Sequence, residues 1–181
     1  MWSRSGSVLA GVEIDLCRRA FRWVWGRRAA GLVALALMGA SRSLAAQRAI
    51  RVTSVRSLRF GTLLPGVPRT VLRTDPLNSG QLDIRAARNA QVQLIFTLPA
   101  SLTGPAGASM PVSFGGNDGG FSATRSVTNQ VGFDPRVPYV ARFGRRATRA
   151  SVFLGGTANP LTSQRAGSYT GTVTLTVVYF P

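Results

Sequence analysis

Histidine and lysine are missing from the whole chain, and beyond residue 46 cysteine and glutamate are missing too. These gaps remove most of the chemistry a protein can carry. A serine nucleophile in residues 47–181 has neither His nor Lys as a base, and no thiol can take its place. Zinc and copper sites built from His or Cys are excluded there. So is a disulfide framework, which leaves buried apolar surface and backbone hydrogen bonds to hold the domain together. Carboxylates are scarce as well: only Asp75, Asp83, Asp118 and Asp134 follow residue 46. Each has a simpler use than catalysis. Asp75 and Asp134 precede prolines, Asp118 lies in the glycine turn "GGNDGG", and Asp83 alternates within a strand. A single acid in that turn, with no repeat, makes a poor calcium loop. The expectation is a non-enzymatic protein with no catalytic residue, cofactor or metal.

Helical periodicity is the next absence. No segment after residue 46 spaces apolar residues at i, i+3, i+4 and i+7 over a helical length. What recurs instead is alternation, in short runs punctuated by Gly, Pro, Asn and Asp. Ile50 and Val52 share a parity in "AIRVTSV", Leu58 and Phe60 in "SLRFGTLLPGVP", and Leu82 and Ile84 in "GQLDIRAA". "RTVLRTDP" gives a short strand around Val71, closed at Asp75-Pro76. In "NAQVQLIFTLPASL", Val92, Leu94, Phe96 and Leu98 face one way and Gln91, Gln93 and Thr97 the other, until Pro99 ends the run. Met110, Val112 and Phe114 form another strand, "GGFSATRS" and "PYVARF" two weaker ones, and Val152 with Leu154 a strand turning at Gly155-Gly156. Roughly seven to nine short strands with regular turn signals predict an all-β, antiparallel, immunoglobulin-like sandwich.

The first 46 residues are of another kind. They contain all three tryptophans, the only cysteine and the only glutamate. Five arginines lie between Arg18 and Arg28, followed by the apolar run "AAGLVALALMGA" and then "SRSLAAQ". A basic region, a short apolar core and small residues before a polar one describe a secretory signal peptide, with cleavage after Ala46. The apolar run, bracketed by Arg28 and Arg42, is shorter than the ~20 residues a transmembrane anchor needs. "RRAFR" (Arg18–Arg22) resembles the signal for export of folded proteins, but Arg27 and Arg28 interrupt its apolar core, which favours general secretion. The expected division is a leader at 1–46 and one sandwich domain at 47–181, with no transmembrane span after cleavage.

The domain carries fifteen arginines against four aspartates, a formal charge of +11 (15 − 4). Such a balance favours anionic partners, although an arginine-only set is equally the mark of coding bias. The arginines are spread along the chain, and only "RFGRRATR" clusters. Arg142, Arg145, Arg146 and Arg149 are therefore the candidate anion-binding patch, against the plainer reading of a solvated strand face. Nucleic-acid binding asks for aromatic stacking or a recognisable module. Neither is evident, so no nucleic acid is expected as partner.

The chain finishes on its most regular stretch, "GSYTGTVTLTVVYFP". Val173, Leu175, Val177 and Tyr179 share one parity, and Thr172, Thr174 and Thr176 the other. Together with Gly167, Tyr169 and Gly171, they form the candidate closing strand and assembly edge, with Ile50 and Val52 along a neighbouring edge. The glycines permit a bulge or close backbone approach.

"LRFGTLLPG", "MPVSF" and "VFLGGTANPLTSQRAGSYTGTVTLTVVY", in this order, resemble the secreted bacterial family called domain of unknown function 4402. The most specific pieces are Phe60-Gly61, Gly155-Gly156-Thr157, Gln164 and the run from Gly167 to Gly171 leading to Tyr179. The resemblance implies a pilin-like sandwich of the cell envelope and leaves its activity open. More loosely, the tail is similar to the last strand of chaperone–usher pilus subunits and the spore coat protein U group, where a glycine precedes a near-terminal tyrosine by twelve residues, as Gly167 precedes Tyr179. In such pilins that strand borders a groove filled by another chain's strand, a form of β-augmentation. Here only Gln47 to Ala49 precede the Ile50 strand, so either that strand is itself the donor or there is none. The disulfide common in such pilins is also absent, and the expectation is a self-complete sandwich. The resulting expectation is a secreted structural or adhesion-type envelope protein, periplasmic or at the surface of a bacterium. Its partners would be other copies or envelope proteins reached by strand pairing. The alternative is a stand-alone module binding anionic envelope polymers.

Overall fold

The computed structural model describes residues 8–15 and 49–180. The apolar run Ala29–Ala40, the arginine pairs, the expected cleavage site after Ala46 and Pro181 lie outside the described residues.

The described chain is nearly all strand. In order these are β1 (Val8–Asp15), β2 (Arg51–Arg56), β3 (Arg59–Leu63), β4 (Arg69–Val71), β5 (Gly80–Arg85), β6 (Gln91–Thr97) and β7 (Ser101–Thr103). There follow β8 (Ser109–Ser113), β9 (Gly119–Ser122), β10 (Val131–Phe133), β11 (Tyr139–Arg142), β12 (Arg149–Leu154), β13 (Gly156–Ala158) and β14 (Gly167–Tyr179). Two sheets result. The first runs β11-β6-β14-β7-β8-β13-β4, with β1 on β14 and β3 on β1; the second runs β10-β9-β12-β5-β2. Every pairing is antiparallel except β1 with β14. The expected all-β sandwich is the observed architecture.

The alternation seen in the sequence sorts residues between core and surface. On β6, Val92 and Leu94 are fully buried; on β5, Leu82 and Ile84; on β14, Tyr169, Val173 and Leu175. Their neighbours of opposite parity face outward or lie half-covered. One contiguous cluster fills the space between the sheets and contains Phe60, Leu82, Leu94, Met110, Val152 and Tyr169. Aromatic rings tie the layers together. Phe133 of the second sheet stacks on Tyr139 of the first, with ring centroids 4.3 Å apart, and also meets Phe96 of β6 at 6.2 Å.

Two expectations change. Gly155-Gly156 is not a reversal: β12 lies in the second sheet and β13 in the first, so these glycines carry the chain from one sheet to the other. The crossing is tight. A Cβ on Gly155 would stand 2.5 Å from the carbonyl oxygen of Val71 and 2.7 Å from the nitrogen of Arg73, closer than any side chain is tolerated. The terminal strand, expected to close the sandwich, is instead interior to its sheet, with β6 and β7 along one edge and β1 along the other. The three-residue strands β7, β10 and β13, and the strand β1, add to the expected set.

The two faces of β6 and its neighbours predict contrasting substitutions. Leu94→Ala, in the core, is expected to cost about 2–5 kcal/mol in urea denaturation. Val140→Ala, on the outer side of the adjoining β11, is expected to change stability by no more than about 0.5 kcal/mol.

Candidate functional site

The functional question centres on the edge of β14 that β1 covers. Along its first half, Val8–Asp15 runs parallel to Gly167–Thr174, residue for residue. The other edge of β1 meets β3 antiparallel, with Val8 opposite Leu63 and Ala10 opposite Gly61. β3 and β14 do not pair with each other; β1 lies between them. They therefore border a slot one strand wide, about 9–10 Å across from two inter-strand spacings. β1 belongs to residues 1–46, the segment expected from its sequence pattern to be a leader.

Both walls of the slot are held by local chemistry. On β3, Phe60 and Leu63 are both buried although three residues apart, which strict alternation forbids. Gly61, at φ +70°, takes up the extra residue, and the register against β1 shifts there from Ala10–Gly61 to Gly11–Arg59. This is a glycine β-bulge, and a left-handed backbone favours glycine at that point. On β14 the anchor is Tyr169. Its ring is fully buried against Gly104, and its hydroxyl donates to the carbonyl of Arg165 at 2.8 Å. The buried Gln164 amide donates to the same hydroxyl at 2.5 Å and to the carbonyl of Ser109 at 3.3 Å. The amide oxygen of Gln164 accepts from the Leu161 N–H at 3.1 Å. A buried tyrosine at a strand entrance, bonded to backbone four residues upstream, is the tyrosine corner of immunoglobulin-like sandwiches.

The remaining strand residues fall on this frame as follows. Gly167, at φ +146°, opens β14 against the ring of Pro105, and Gly171 leaves room for Leu102, whose Cδ2 would be 2.7 Å from an added Cβ. Val173 and Leu175 point into the core, and Val177 and Tyr179 are half-buried. The Tyr179 hydroxyl accepts from the Ala87 N–H at 3.2 Å. Ile50 and Val52 are elsewhere: Val52 pairs with Ile84, so β2 forms the edge of the second sheet and does not border the β14 slot. The arginine run is divided between layers. Arg142 ends β11 in the first sheet, Arg145 and Arg146 lie in the connection, and Arg149 begins β12 in the second; all four are exposed.

The four aspartates are each engaged locally. Asp83 accepts from Ser151 Oγ and from Arg125 Nη2, both at 2.6 Å. Asp118 accepts from the Gly115 N–H at 2.6 Å, which closes the glycine turn. Asp75 accepts from the Asn78 side chain at 2.9 Å and from the backbone N–H groups of Leu77 and Asn78, and these bonds hold its carboxyl below the usual aspartate value. Asp134 is lowered to about 2 by hydrogen bonds from the Arg136 side chain and backbone. Among the described residues no group of three or more His, Cys, Asp or Glu stands close enough to hold a metal ion.

Sheet order, the tyrosine corner and the inter-sheet aromatic core define an immunoglobulin-like β-sandwich. The family model described as Domain of unknown function (DUF4402) matches residues 66–179, and the chain belongs to that family. The match contains Gln164, the glycine crossing and the strand from Gly167 to Tyr179, while Phe60-Gly61 lies ahead of it. A search of curated proteins returns no match.

Two predictions follow from these bonds. Tyr169→Phe removes the hydroxyl from between Gln164 and Arg165 and is expected to cost about 1–3 kcal/mol in denaturant titration, with the circular dichroism spectrum unchanged. Asp75 and Asp134 are depressed in the folded state, so the stability they lend is present above the ordinary aspartate pKa and is lost as pH falls through their folded values. No side chain of residues 47–181 has an ordinary pKa near neutrality. The melting temperature is therefore expected to be level from about pH 8 to pH 5 and to fall below about pH 4, with a shallower fall in the Asp75→Asn, Asp134→Asn double variant.

Proposed function

We propose that this is an exported, non-enzymatic protein of the bacterial cell envelope, structural or adhesion-type, which assembles by taking a partner's β-strand into the slot between β3 and β14. One observation carries the reading. Two strands of the sandwich are joined only through a third, and that third strand comes from the leader region.

Removal of residues 1–46 would take β1 with it. The β14 edge from Gly167 to Thr174 and the β3 edge from Arg59 to Leu63 would then present unpaired N–H and C=O groups above the core. Such an edge is a template for pairing. Each backbone hydrogen bond restored is worth about 0.5–1.5 kcal/mol, and the guest's inward side chains add buried apolar area. The guest would be a strand of another copy or of an envelope protein. The looser likeness of the tail to pilus subunits supports the same reading. Export, and a periplasmic or surface location, rest on the leader pattern of residues 1–46.

The test uses residues 47–181 and a synthetic peptide of the β1 sequence, VLAGVEID. The peptide is expected to raise the melting temperature by several degrees and to dissolve polymers that the protein forms alone. A peptide with proline in place of Ala10 is expected to do neither, because it breaks the ladder. A fully folded, monodisperse protein at high concentration whose melting temperature ignores both peptides would overturn the reading.

A further inference from the structure

We propose that the outer face of the second sheet carries a separate oxyanion-binding site, formed by Arg51, Arg85 and Arg149, and that its ligand is an acidic glycan. The three residues are far apart in sequence, and only the strand register brings them together. Arg51 of β2 stands directly opposite Arg85 of β5, and Arg85 directly opposite Arg149 of β12. Their neighbours in the adjacent row, Val52, Ile84 and Ala150, turn inward, and the last two are fully buried or nearly so. The arginines therefore project from the opposite face, and all three are exposed.

Like charges directly opposite on adjacent strands are destabilising, and nothing within the row offsets them. None of the three guanidinium groups makes a hydrogen bond or ion pair with a described residue. The carboxylate one row away, Asp83, is already engaged by Arg125 and Ser151, both at 2.6 Å. The row thus keeps three positive charges spaced by the strand separation of about 4.8 Å, some 10 Å from end to end. It lines an open cleft of about 310 Å³ shared with Thr53, Asp83 and Ile84, and a second cleft beside it includes Thr148.

This chemistry selects the ligand. Guanidinium forks grip carboxylate and phosphate oxygens in pairs, and three in a line suit a polymer whose charges repeat at about the strand spacing. The threonine hydroxyls offer hydrogen bonds to neutral sugar hydroxyls. No aromatic residue lines either cleft, so the stacking platform needed for a nucleic-acid strand is missing there. The site lies on the sheet opposite the β14 slot, and strand uptake and glycan binding can fail independently.

The experiment measures binding of oligogalacturonate to the full chain by titration calorimetry at two salt concentrations. Binding is expected at low salt and should weaken steeply as salt rises. The triple variant Arg51→Gln, Arg85→Gln, Arg149→Gln is expected to lose about thirtyfold in affinity, a threefold loss compounded over three contacts. The triple variant Arg142→Gln, Arg145→Gln, Arg146→Gln carries the same change in net charge and is expected to lose less than about threefold. Arg85→Gln alone relieves the opposed charges, so its melting temperature should hold or rise while its affinity falls. Equal losses in the two triple variants would mean diffuse attraction and would overturn the site. So would a wild-type chain that does not bind at low salt, or a single-stranded oligonucleotide of equal charge that binds as tightly as the glycan.

Discussion

A strand edge inside a sandwich must be paired, and in this protein the edge in question is the first half of β14. Its backbone groups face a space that β3 borders from the far side but does not fill. A sheet core tolerates few unsatisfied N–H and C=O groups, so something extended has to occupy that space. In the whole chain the occupant is Val8–Asp15. The rest of the architecture keeps this slot open and in shape: the bulge at Gly61 brings both Phe60 and Leu63 to the core beneath it, and the tyrosine corner fixes where β14 begins.

The same economy explains motif residues that composition alone cannot. Gln164 is a buried amide on a chain with few polar groups to spare, and it uses both ends: the nitrogen reaches Tyr169 and Ser109, the oxygen Leu161. Gly155 is small because the crossing segment passes at contact distance from the backbone of Val71 to Arg73, where β4 ends. Neither residue touches a ligand in this reading. Both hold the scaffold on which the β14 edge is displayed.

Much of the fold was legible in the sequence because burial on one face imposes a period of two. The parity of Val92, Leu94, Val173 and Leu175 named their environment correctly. Legibility ended where periodicity does. β7 and β10 are only three residues long, too short for an alternation to stand out from the loops around them. β1 was hidden within a segment whose charge and apolar run announce a different purpose, although Val8, Ala10, Val12 and Ile14 share a parity. The arginine row was invisible for another reason. Register is a property of pairs of strands, and nothing in "AIRVTSV", "GQLDIRAA" or "RATRASVF" read singly places Arg51, Arg85 and Arg149 abreast. The local run from Arg142 to Arg149 was conspicuous in one dimension and is dispersed over two layers in three.

The parallel course of β1 beside β14 has a directional meaning. Any guest lying in the slot with that orientation enters near Gly167 and points its C-terminal end the way β14 itself travels. A donor segment at the front of a second molecule would thus deliver that molecule's body beyond the Tyr179 end of the host, head following tail. Successive units joined in this manner would all point the same way, so the thread they make would have two chemically distinct tips, one with an empty slot and one with an unclaimed strand.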